Sequence, residues 1–456
     1  MDWIAANETM LSGLAALVVV MGVTFSPFGS VIRDVLNRRS NNTSVGGVSF
    51  ANTDSTAIQT GSASVIRIDK PSVAVLPFEN LSGDPQQEYF TDGMAEDIIV
   101  ALSKLPFLFV IARNTSFAYK GHQSESGNFG KVLGARYLVQ GSVRKSGQHA
   151  RITAQLVDTE SDEQLWAESF DRELNDIFSV QDEITRKIIS ILPSRIEAAD
   201  LKRIRNKPTS NLAAYEYLLR GKYHHHLRTR ADNETAHRML ERAIEEDPNY
   251  AQAYAWRACV MGQAMVRGYR DDINVDEELM NSLQKALTLD DDDFECHRVL
   301  SGVYLIRQQF DRAEFHAIRA YELNCNDPRV ISLYGELLAL IGQAEAGIEK
   351  LQLALQVDPY RPDDRLTHLG FAQFVARRYE DALSTFGKIS ILETKHHAYL
   401  AACYAQLGDA ENAQREAGEV RKLEPDFSSE SFVSQVLYKN DVDIKHHIDA
   451  FHKSGL

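Results

Sequence analysis

Carboxylates are the residues in this chain whose type and spacing come nearest to a catalytic arrangement. Asp84, Glu88, Asp92, Glu96 and Asp97 lie close together in the first third of the sequence. Paired carboxylates act as general acid and general base when their surroundings separate their pKa values. The same residue types also cap helices, begin turns and keep a surface solvated. We interpret the cluster as structural.

The motifs of common catalytic sites are missing from the sequence. It contains no GxGxxG or GxxxxGK[ST] run that would cradle a nucleotide phosphate, no GxSxG nucleophile elbow and no HExxH zinc helix. We therefore predict a protein that is not an enzyme and that binds no cofactor.

Histidines occur in three short runs, at 224–226, 396–397 and 446–447. Imidazole is a common metal ligand, but consecutive residues of a helix point about 100° apart, so one run cannot form a tetrahedral site by itself. We interpret these histidines as part of a polar helix surface and predict no metal site.

The cysteines and the longest acidic run also lack the spacing of a metal site. Cys259, Cys296, Cys325 and Cys403 include no CxxC pair, which favours buried free thiols over zinc ligands. The run Asp290–Asp293 lacks the glycine and the distal glutamate of a calcium loop. It is typical of a solvated turn.

Composition limits the class of partner. The chain has 456 residues, of which 25% are charged and 44% hydrophobic, as in ordinary globular proteins with more than one domain. Its 64 acidic and 49 basic residues leave a formal charge of -15. A nucleic-acid surface needs a positive footprint, so we predict no nucleic-acid partner.

The N-terminal part predicts a membrane anchor. No charge occurs between Glu8 and Arg33, and an uncharged stretch of about 20 residues is long enough to cross a bilayer. A cleaved signal peptide would need basic residues before the apolar run, and there are none. We predict an N-terminal segment at 1–9, a transmembrane helix at 10–31 and a flexible linker rich in Ser, Asn and Thr at 32–71.

The next region alternates between short apolar runs and amphipathic helices, which predicts an α/β domain at 72–198. A mixed sheet is expected, because a hairpin with a turn at Lys145–Gly147 follows strands separated by a helix. We expect Asp92 to cap the first helix. The predicted strands are Ser72–Phe78, Phe107–Ala112, Tyr137–Val143, Arg151–Leu156 and Gln164–Phe170, and the predicted helices are Asp92–Leu105, Asn128–Leu133 and one from Ile177 to Ile191.

Three blocks of this region, SVAVLPFENLSGDPQQEYFTDGMAEDI, ARYLVQGSVRKSGQHARITAQLVD and LWAESFDREL, resemble the TolB-like amino-terminal domain. In that family the domain precedes tetratricopeptide repeats, behind class III adenylate or guanylate cyclase domains or behind winged-helix domains of membrane-anchored regulators. The resemblance implies an α/β fold and a place in signal transduction.

Small and large residues recur at a period near 34 residues in the second half. Ala236, Leu240, Ala243 and Pro248 define a frame that returns at later positions, and this frame is typical of tetratricopeptide (TPR) helix pairs. We predict an all-α superhelix of about six repeats at 199–428 and a helical tail at 429–456. The predicted repeats start near Asn211, Ala251, Phe294, Pro328, Asp363 and Thr394.

First helices of such repeats line a concave groove that binds a helix or an extended peptide. Alternatively, the groove is solvated or filled by the chain's own tail. The side chains that we expect to face a protein or peptide partner there are Glu295, Arg298, Arg329, Ser332, Glu336, Asp364, Thr367 and Phe371.

Two functions remain open at this point. The first is a non-catalytic, membrane-anchored sensory protein that binds a protein partner. The second, which the resemblance implies, is the regulatory half of a class III adenylate cyclase system, with a cyclase or another regulator as partner. Because only the predicted anchor precedes the TolB-like block, we expect no cyclase domain in this chain.

Two features give opposite indications of the side of the membrane on which the C-terminal domains lie. Arg33, Arg38 and Arg39 follow the predicted span and favour a cytoplasmic C-terminal part. The resemblance to bacterial inner-membrane proteins favours a periplasmic one, which we prefer because long domains cross the membrane despite flanking charge.

Overall fold

A computed structural model describes residues 70–118, 120, 133–147, 149–173, 177–191, 209, 211–269, 275–360 and 362–456. The predicted anchor at 10–31, the segment before it and nearly all of the linker lie outside the described residues. Within the described ranges, no helix is both long and apolar enough to span a bilayer.

The α/β domain has the predicted mixed sheet, in the order β3-β1-β4-β5-β6 with β2 beside β4. Strand β1 pairs in parallel with β3 and β4, and β2 also pairs in parallel with β4. The pairs β4–β5 and β5–β6 are antiparallel. The tight turn between β4 and β5 contains Gly147 with a φ of 58°, where glycine avoids the strain of a Cβ. The strands are β1 Ser72–Val75, β2 Glu79–Asn80, β3 Phe109–Val110, β4 Tyr137–Ser146, β5 His149–Asp158 and β6 Glu163–Glu173.

Helices α1 and α3 supply apolar side chains to the core of this domain, and α2 follows β3. The expectation that Asp92 caps the first helix is wrong, since the helix begins at Glu88 and Asp92 lies buried in its interior. Of the predicted helix Asn128–Leu133, only the last residue is described. The helices are α1 Glu88–Ser103, α2 Arg113–Phe117 and α3 Ile177–Ile191.

Fourteen further helices form the second half of the described chain: six pairs and a tail of two helices. Each first helix begins at, or one residue after, a predicted repeat start, which confirms a TPR-type helical array. The pairs are α4 Leu212–Leu227 and α5 Arg230–Glu246, α6 Ala251–Val266 and α7 Val275–Leu289, α8 Phe294–Ile306 and α9 Phe310–Leu323, α10 Pro328–Leu340 and α11 Ala344–Val357, α12 Asp363–Val375 and α13 Tyr379–Phe386, and α14 Thr394–Gln406 and α15 Ala410–Leu423; the tail helices are α16 Ser429–Ser434 and α17 Asp441–Lys453.

Small residues bring the two helices of a repeat into contact, as their spacing predicts. A Cβ on Gly335 would lie 2.8 Å from Leu351, and one on Gly370 would lie 2.5 Å from Phe386. The first helices of the last four repeats each end two residues before a residue with positive φ, which turns the chain into the second helix. These residues are Gln308, Gly342, Arg377 and Gly408.

The array packs directly against the α/β domain. Tyr215 and Leu219 of α4 belong to the hydrophobic core around α1, and Val357 of α11 packs in a cluster with Leu76, which follows β1. The backbone N–H of Ala112 also donates to the carbonyl of Val357 at 2.9 Å. The α/β domain therefore occupies part of the surface that sequence reasoning left for a partner.

Candidate functional site: a polar cavity between the two domains

Asp358, at the end of α11, joins the domains through buried polar contacts. Its fully buried carboxylate accepts hydrogen bonds from Thr115 Oγ1 at 2.6 Å and from Asn114 Nδ2 at 3.3 Å, both in α2. Arg365 forms an ion pair with the same carboxylate. A buried charge is stable only when it is paired and hydrogen-bonded, so these contacts fix α2 against the fourth and fifth repeats.

Glu96 of α1 forms a second polar contact between the domains. It pairs with Arg113 Nε at 2.8 Å within the α/β domain and with Lys222 Nζ at 2.9 Å from α4. Its pKa is held well below the ordinary value: burial alone would raise it, but the nearby cations, Lys222 foremost, outweigh burial. Glu96 is therefore an anion that holds cations in place.

The remaining carboxylates of the acidic cluster also have structural partners. Asp84 caps the short 3₁₀ turn before α1. Glu88 and Asp92 both pair with Lys120, at 2.6 and 2.7 Å. Asp97 accepts from Tyr215 Oη at 2.5 Å. Each of the five carboxylates thus has a partner other than a second carboxylate among the contacts described.

Glu295 and Arg298 of α8, both predicted groove residues, are buried. Arg298 Nη2 donates to Glu295 at 2.5 Å and to Cys259 Sγ at 3.1 Å. The predicted residue Arg329 pairs with Glu295 at 3.0 Å and with Asp327 at 2.8 Å. Burial would raise the pKa of Glu295, but the two guanidinium groups hold it far below its usual range.

Glu336, Thr367 and Phe371 lie deeper in the array and face side chains of neighbouring repeats. Glu336 Oε2 lies 3.2 Å from His368 Nδ1, and Thr367 Oγ1 lies 2.9 Å from His396 Nε2. All three predicted residues are buried, so none of them offers an open surface in this conformation.

Phe371 packs against the tail. Its ring centroid lies 6.0 Å from that of Tyr438, which precedes α17, and 5.9 Å from that of Tyr399. The C-terminal end of the array is thus occupied by the chain itself, the alternative that sequence reasoning left open. The α/β domain covers part of the earlier repeats, an arrangement that we did not predict from the sequence.

A cavity of about 170 Å³ remains where the two domains meet. It contains four of the eight predicted groove residues, Arg298, Arg329, Ser332 and Asp364. Its other polar or charged walls come from both domains, namely Glu96, Ser103, Arg113 and Asn114 of the α/β domain and His225, His226, Arg228, Cys259, Gln263, Asn324, Asn326, Asp327, Asp358, Arg365 and His368 of the array.

Several wall atoms are buried without a hydrogen-bond partner in this structure. Both side-chain amide atoms of Asn324, which is fully buried, have none. Arg298 Nε and His225 Nδ1 are also buried and have no hydrogen-bond partner. Buried polar groups in native proteins nearly always find a partner, so these atoms are suited to meet a ligand or water.

Two of the three histidines of the wall, His225 and His226, are neutral at physiological pH. Burial, together with the positive charge of Arg113, lowers the pKa of His226 to about 4. Burial and the proximity of His226 likewise lower the pKa of His225 far below its ordinary value. A neutral imidazole presents one donor and one acceptor, so each of these two histidines can meet either kind of ligand group.

Elsewhere, the interpretation of the histidine runs as polar surface is wrong in part. His447 and His396 are buried, and His447 packs with its ring 4.5 Å from that of Phe451. Three of the four cysteines are buried free thiols, and Cys325 is half-buried. Among the residues that the structure describes, no three His, Cys, Asp or Glu side chains converge in a way that could hold a metal ion.

Sequence reasoning missed Arg113, Asn114, Asn324 and Asp358. One available signal was the aspartate that precedes a proline near repeat boundaries: it recurs at 247–248, 327–328 and 358–359. Each of these aspartates accepts a side-chain hydrogen bond near an end of a repeat helix.

The α/β part of the chain matches one known family. Residues 69–187 match the family described as "HilA/YgeH-like transcriptional regulator, second domain". The match ends within α3 and does not include the array.

One curated relative matches a longer part of the chain. The chain is 38% identical over 249 residues to "Putative adenylate cyclase 3" of Rhizobium meliloti strain 1021. The alignment covers 54% of this chain and 42% of that protein. The chain thus spans less than half the length of this relative.

Solved structures resemble each half at low identity. A structure of PilF from Pseudomonas aeruginosa is 19% identical, covers 47% of this chain and 93% of PilF, and has a TM-score of 0.37. TolB from Acinetobacter baumannii is 16% identical, with 27% of this chain and 28% of TolB covered and a TM-score of 0.21. Because both scores are below 0.5, the fold assignment rests on the helix and strand packing described above.

Proposed function

We propose that this chain is a sensory regulatory protein in which a small ligand, bound between the α/β domain and the array, controls a protein partner. The observation that carries this proposal is the interdomain cavity with its unpartnered buried atoms. A ligand there contacts Arg113 from one domain and Arg329 from the other. It therefore changes the free energy of the domain contact, which is the requirement for a regulatory response.

The partner surface of this proposal lies outside the occupied part of the groove. The exposed face of α9 is one candidate, because Phe315 is 62% exposed and Ile318, three residues later, is 37% exposed on the same face. Solvent-exposed aromatic and aliphatic side chains that cluster in this way are typical of protein contacts.

A cyclase system is the second candidate for the regulated activity. It is supported by the identity to the protein named "Putative adenylate cyclase 3" and by the resemblance of the sequence blocks to TolB-like domains behind cyclase domains. In this version the chain is the regulatory half and a class III cyclase domain is the partner. Membrane attachment through residues 10–31, with the described domains in the periplasm, belongs to the same proposal.

A chimera tests both statements. Residues 70–456 replace the part of the Rhizobium meliloti protein that contains the aligned residues, and cyclic AMP is measured in bacteria without their own adenylate cyclase. Ser332→Phe fills the cavity from α10, and Ser434→Phe, on the exposed side of α16, is the matched control.

We expect cyclic AMP from the chimera, a change of at least twofold with Ser332→Phe and no change with Ser434→Phe. A stable chimera that makes no cyclic AMP would contradict the proposed role in a cyclase system. Cyclic AMP that is identical in both variants would contradict the sensory role of the cavity.

A further inference from the structure

We propose that the interdomain cavity binds a small hydroxylated oxyanion, a molecule that carries one phosphate or carboxylate group together with hydroxyl groups. This inference deepens the proposed function and rests on it, because it names the chemical class of the ligand. It follows from the charges, the unpartnered atoms and the size of the cavity.

Arginine is the most frequent charged residue in the wall. Arg113 comes from the α/β domain, and Arg228, Arg298, Arg329 and Arg365 come from four repeats of the array. A guanidinium group offers a planar fork of donors that matches the oxygens of a carboxylate or phosphate. An oxyanion in the cavity can therefore contact cations from both domains at once.

Most acidic groups of the wall are paired with these same cations, so the arginines offer a ligand the N–H donors that the carboxylates leave free. Glu96 is paired with Arg113 and Lys222, and Asp327 is paired with Arg329. Asp358 is held by Arg365 and by two donors of α2. The half-buried Asp364 adds an acceptor, which suits a hydroxyl group of the ligand better than its anionic group.

Unpartnered atoms mark where the ligand is held. Asn324 exposes neither side-chain atom to solvent, yet its amide nitrogen lacks an acceptor and its amide oxygen lacks a donor. Arg298 Nε lacks an acceptor as well. An oxyanion would accept from Arg298 and Asn324, and a hydroxyl group would donate to the amide oxygen of Asn324.

The size of the cavity limits the enclosed part of the ligand to a few carbon atoms. A cavity of about 150 Å³ is enough for benzene, and this cavity measures about 170 Å³. Arg228 is exposed at its edge, so part of a ligand can extend to solvent. Glycerol 3-phosphate and malate have the required size and groups, and glycerol is the matched neutral molecule.

The experiment is calorimetric titration of the purified full chain, in a buffer free of phosphate and carboxylate, with glycerol 3-phosphate, malate, inorganic phosphate and glycerol. We expect one site that binds glycerol 3-phosphate or malate at least tenfold more tightly than glycerol. The tighter of these two ligands identifies the preferred anionic group. Inorganic phosphate shows how tightly a phosphate group binds without an attached hydroxylated carbon chain.

Two cavity variants and one control complete the test. Arg329→Gln removes one cation, and Asn324→Leu removes the unpartnered amide, so each should weaken binding at least tenfold. Arg257→Gln removes a cation that contacts Ser282 outside the cavity and should bind as the unmodified chain does. Asn324→Leu should fold normally, because it removes two unsatisfied buried polar atoms, and thermal unfolding checks this.

The absence of binding by all of the anions, or binding that is unchanged in both cavity variants, would overturn the inference. In the first case the unpartnered atoms contact only water. Anion binding without any cyclic AMP response in the chimera would leave the site in place and overturn the sensory function. A response to Ser332→Phe without anion binding would overturn only the ligand class.

Discussion

At the residue scale, burial changes the protonation of histidines far from the cavity. His447 of α17 is fully buried in the aromatic cluster of the tail, and its Nδ1 lies 3.0 Å from Tyr438 Oη. Burial, with a contribution from His446, lowers the pKa of His447 to about 3. In the unfolded chain the pKa is near 6.5, so acid favours the unfolded state.

This pKa shift predicts a pH-dependent stability. As the pH falls below about 6.5, the unfolded chain takes up a proton that folded His447 does not accept, so the folded state loses stability until the pH nears the folded pKa. At about 1.4 kcal/mol per pH unit, this residue accounts for roughly 2 kcal/mol between pH 6.5 and 4.5. Glutamine does not titrate, so the free energy of unfolding of His447→Gln should fall less over this pH range than that of the unmodified chain. The difference should be about 2 kcal/mol.

Denaturant unfolding at several pH values provides the measurement. His452→Gln, at an exposed position on the same helix, is the control and should follow the unmodified chain. Parallel curves for the unmodified chain and His447→Gln would contradict the assigned burial of this histidine.

At the scale of the element, glycines set the distance between the helices of a repeat. A Cβ on Gly347 of α11 would lie 2.6 Å from the backbone oxygen of Gly335 in α10, a separation that neither backbone can accept without moving. Gly418 of α15 has no neighbouring heavy atom within 4 Å of such a Cβ. Two glycines inside helices thus have opposite structural roles.

The same substitution at these positions should act in opposite directions. Gly347→Ala forces α10 and α11 apart and should cost about 1–3 kcal/mol. Gly418→Ala should stabilise by about 0.5–1 kcal/mol, because alanine has the higher helix propensity. Thermal unfolding followed by circular dichroism measures both, and equal midpoints would show that the contact between α10 and α11 is wrongly placed.

At the scale of the whole molecule, buried charges hold the α/β domain in the array. Asp358→Ala leaves Arg365 and Thr115 without their shared carboxylate, and breaking a buried pair of this kind costs about 3–5 kcal/mol. We expect a lower free energy of unfolding and an earlier loss of the domain contact, measured by calorimetry and by protection of α2 from hydrogen exchange.

Asp171→Ala is the control for this substitution, because Asp171 forms an exposed ion pair with Arg151. Exposed pairs contribute little to stability, so the control should unfold as the unmodified chain does. If Asp358→Ala did likewise, the docking of the two domains would have to depend on their apolar contacts alone.

Much of the fold could be predicted from local patterns. The apolar alternation in Arg151–Leu156 identified a strand, and the recurring small residues placed the starts of the repeat helices at or within one residue of the observed ones. Such patterns can be recognised in the sequence because each element must bury one face, and this requirement imposes a period on its apolar residues. The capping role expected of Asp92 was wrong because a buried residue with a partner in Lys120 looks the same in sequence as a cap.

Local sequence patterns were sufficient to predict the mixed sheet, the helix pairs and a set of residues on one face of the first helices. What those residues face depends on contacts between distant segments of the chain. The contact between Asp358 and Thr115 joins residues that are 243 positions apart, and no periodic pattern reports which distant carboxylate meets which hydroxyl. Because docking depends on such pairwise complementarity of charge and shape, part of the groove predicted for a partner became a cavity between two domains of one chain.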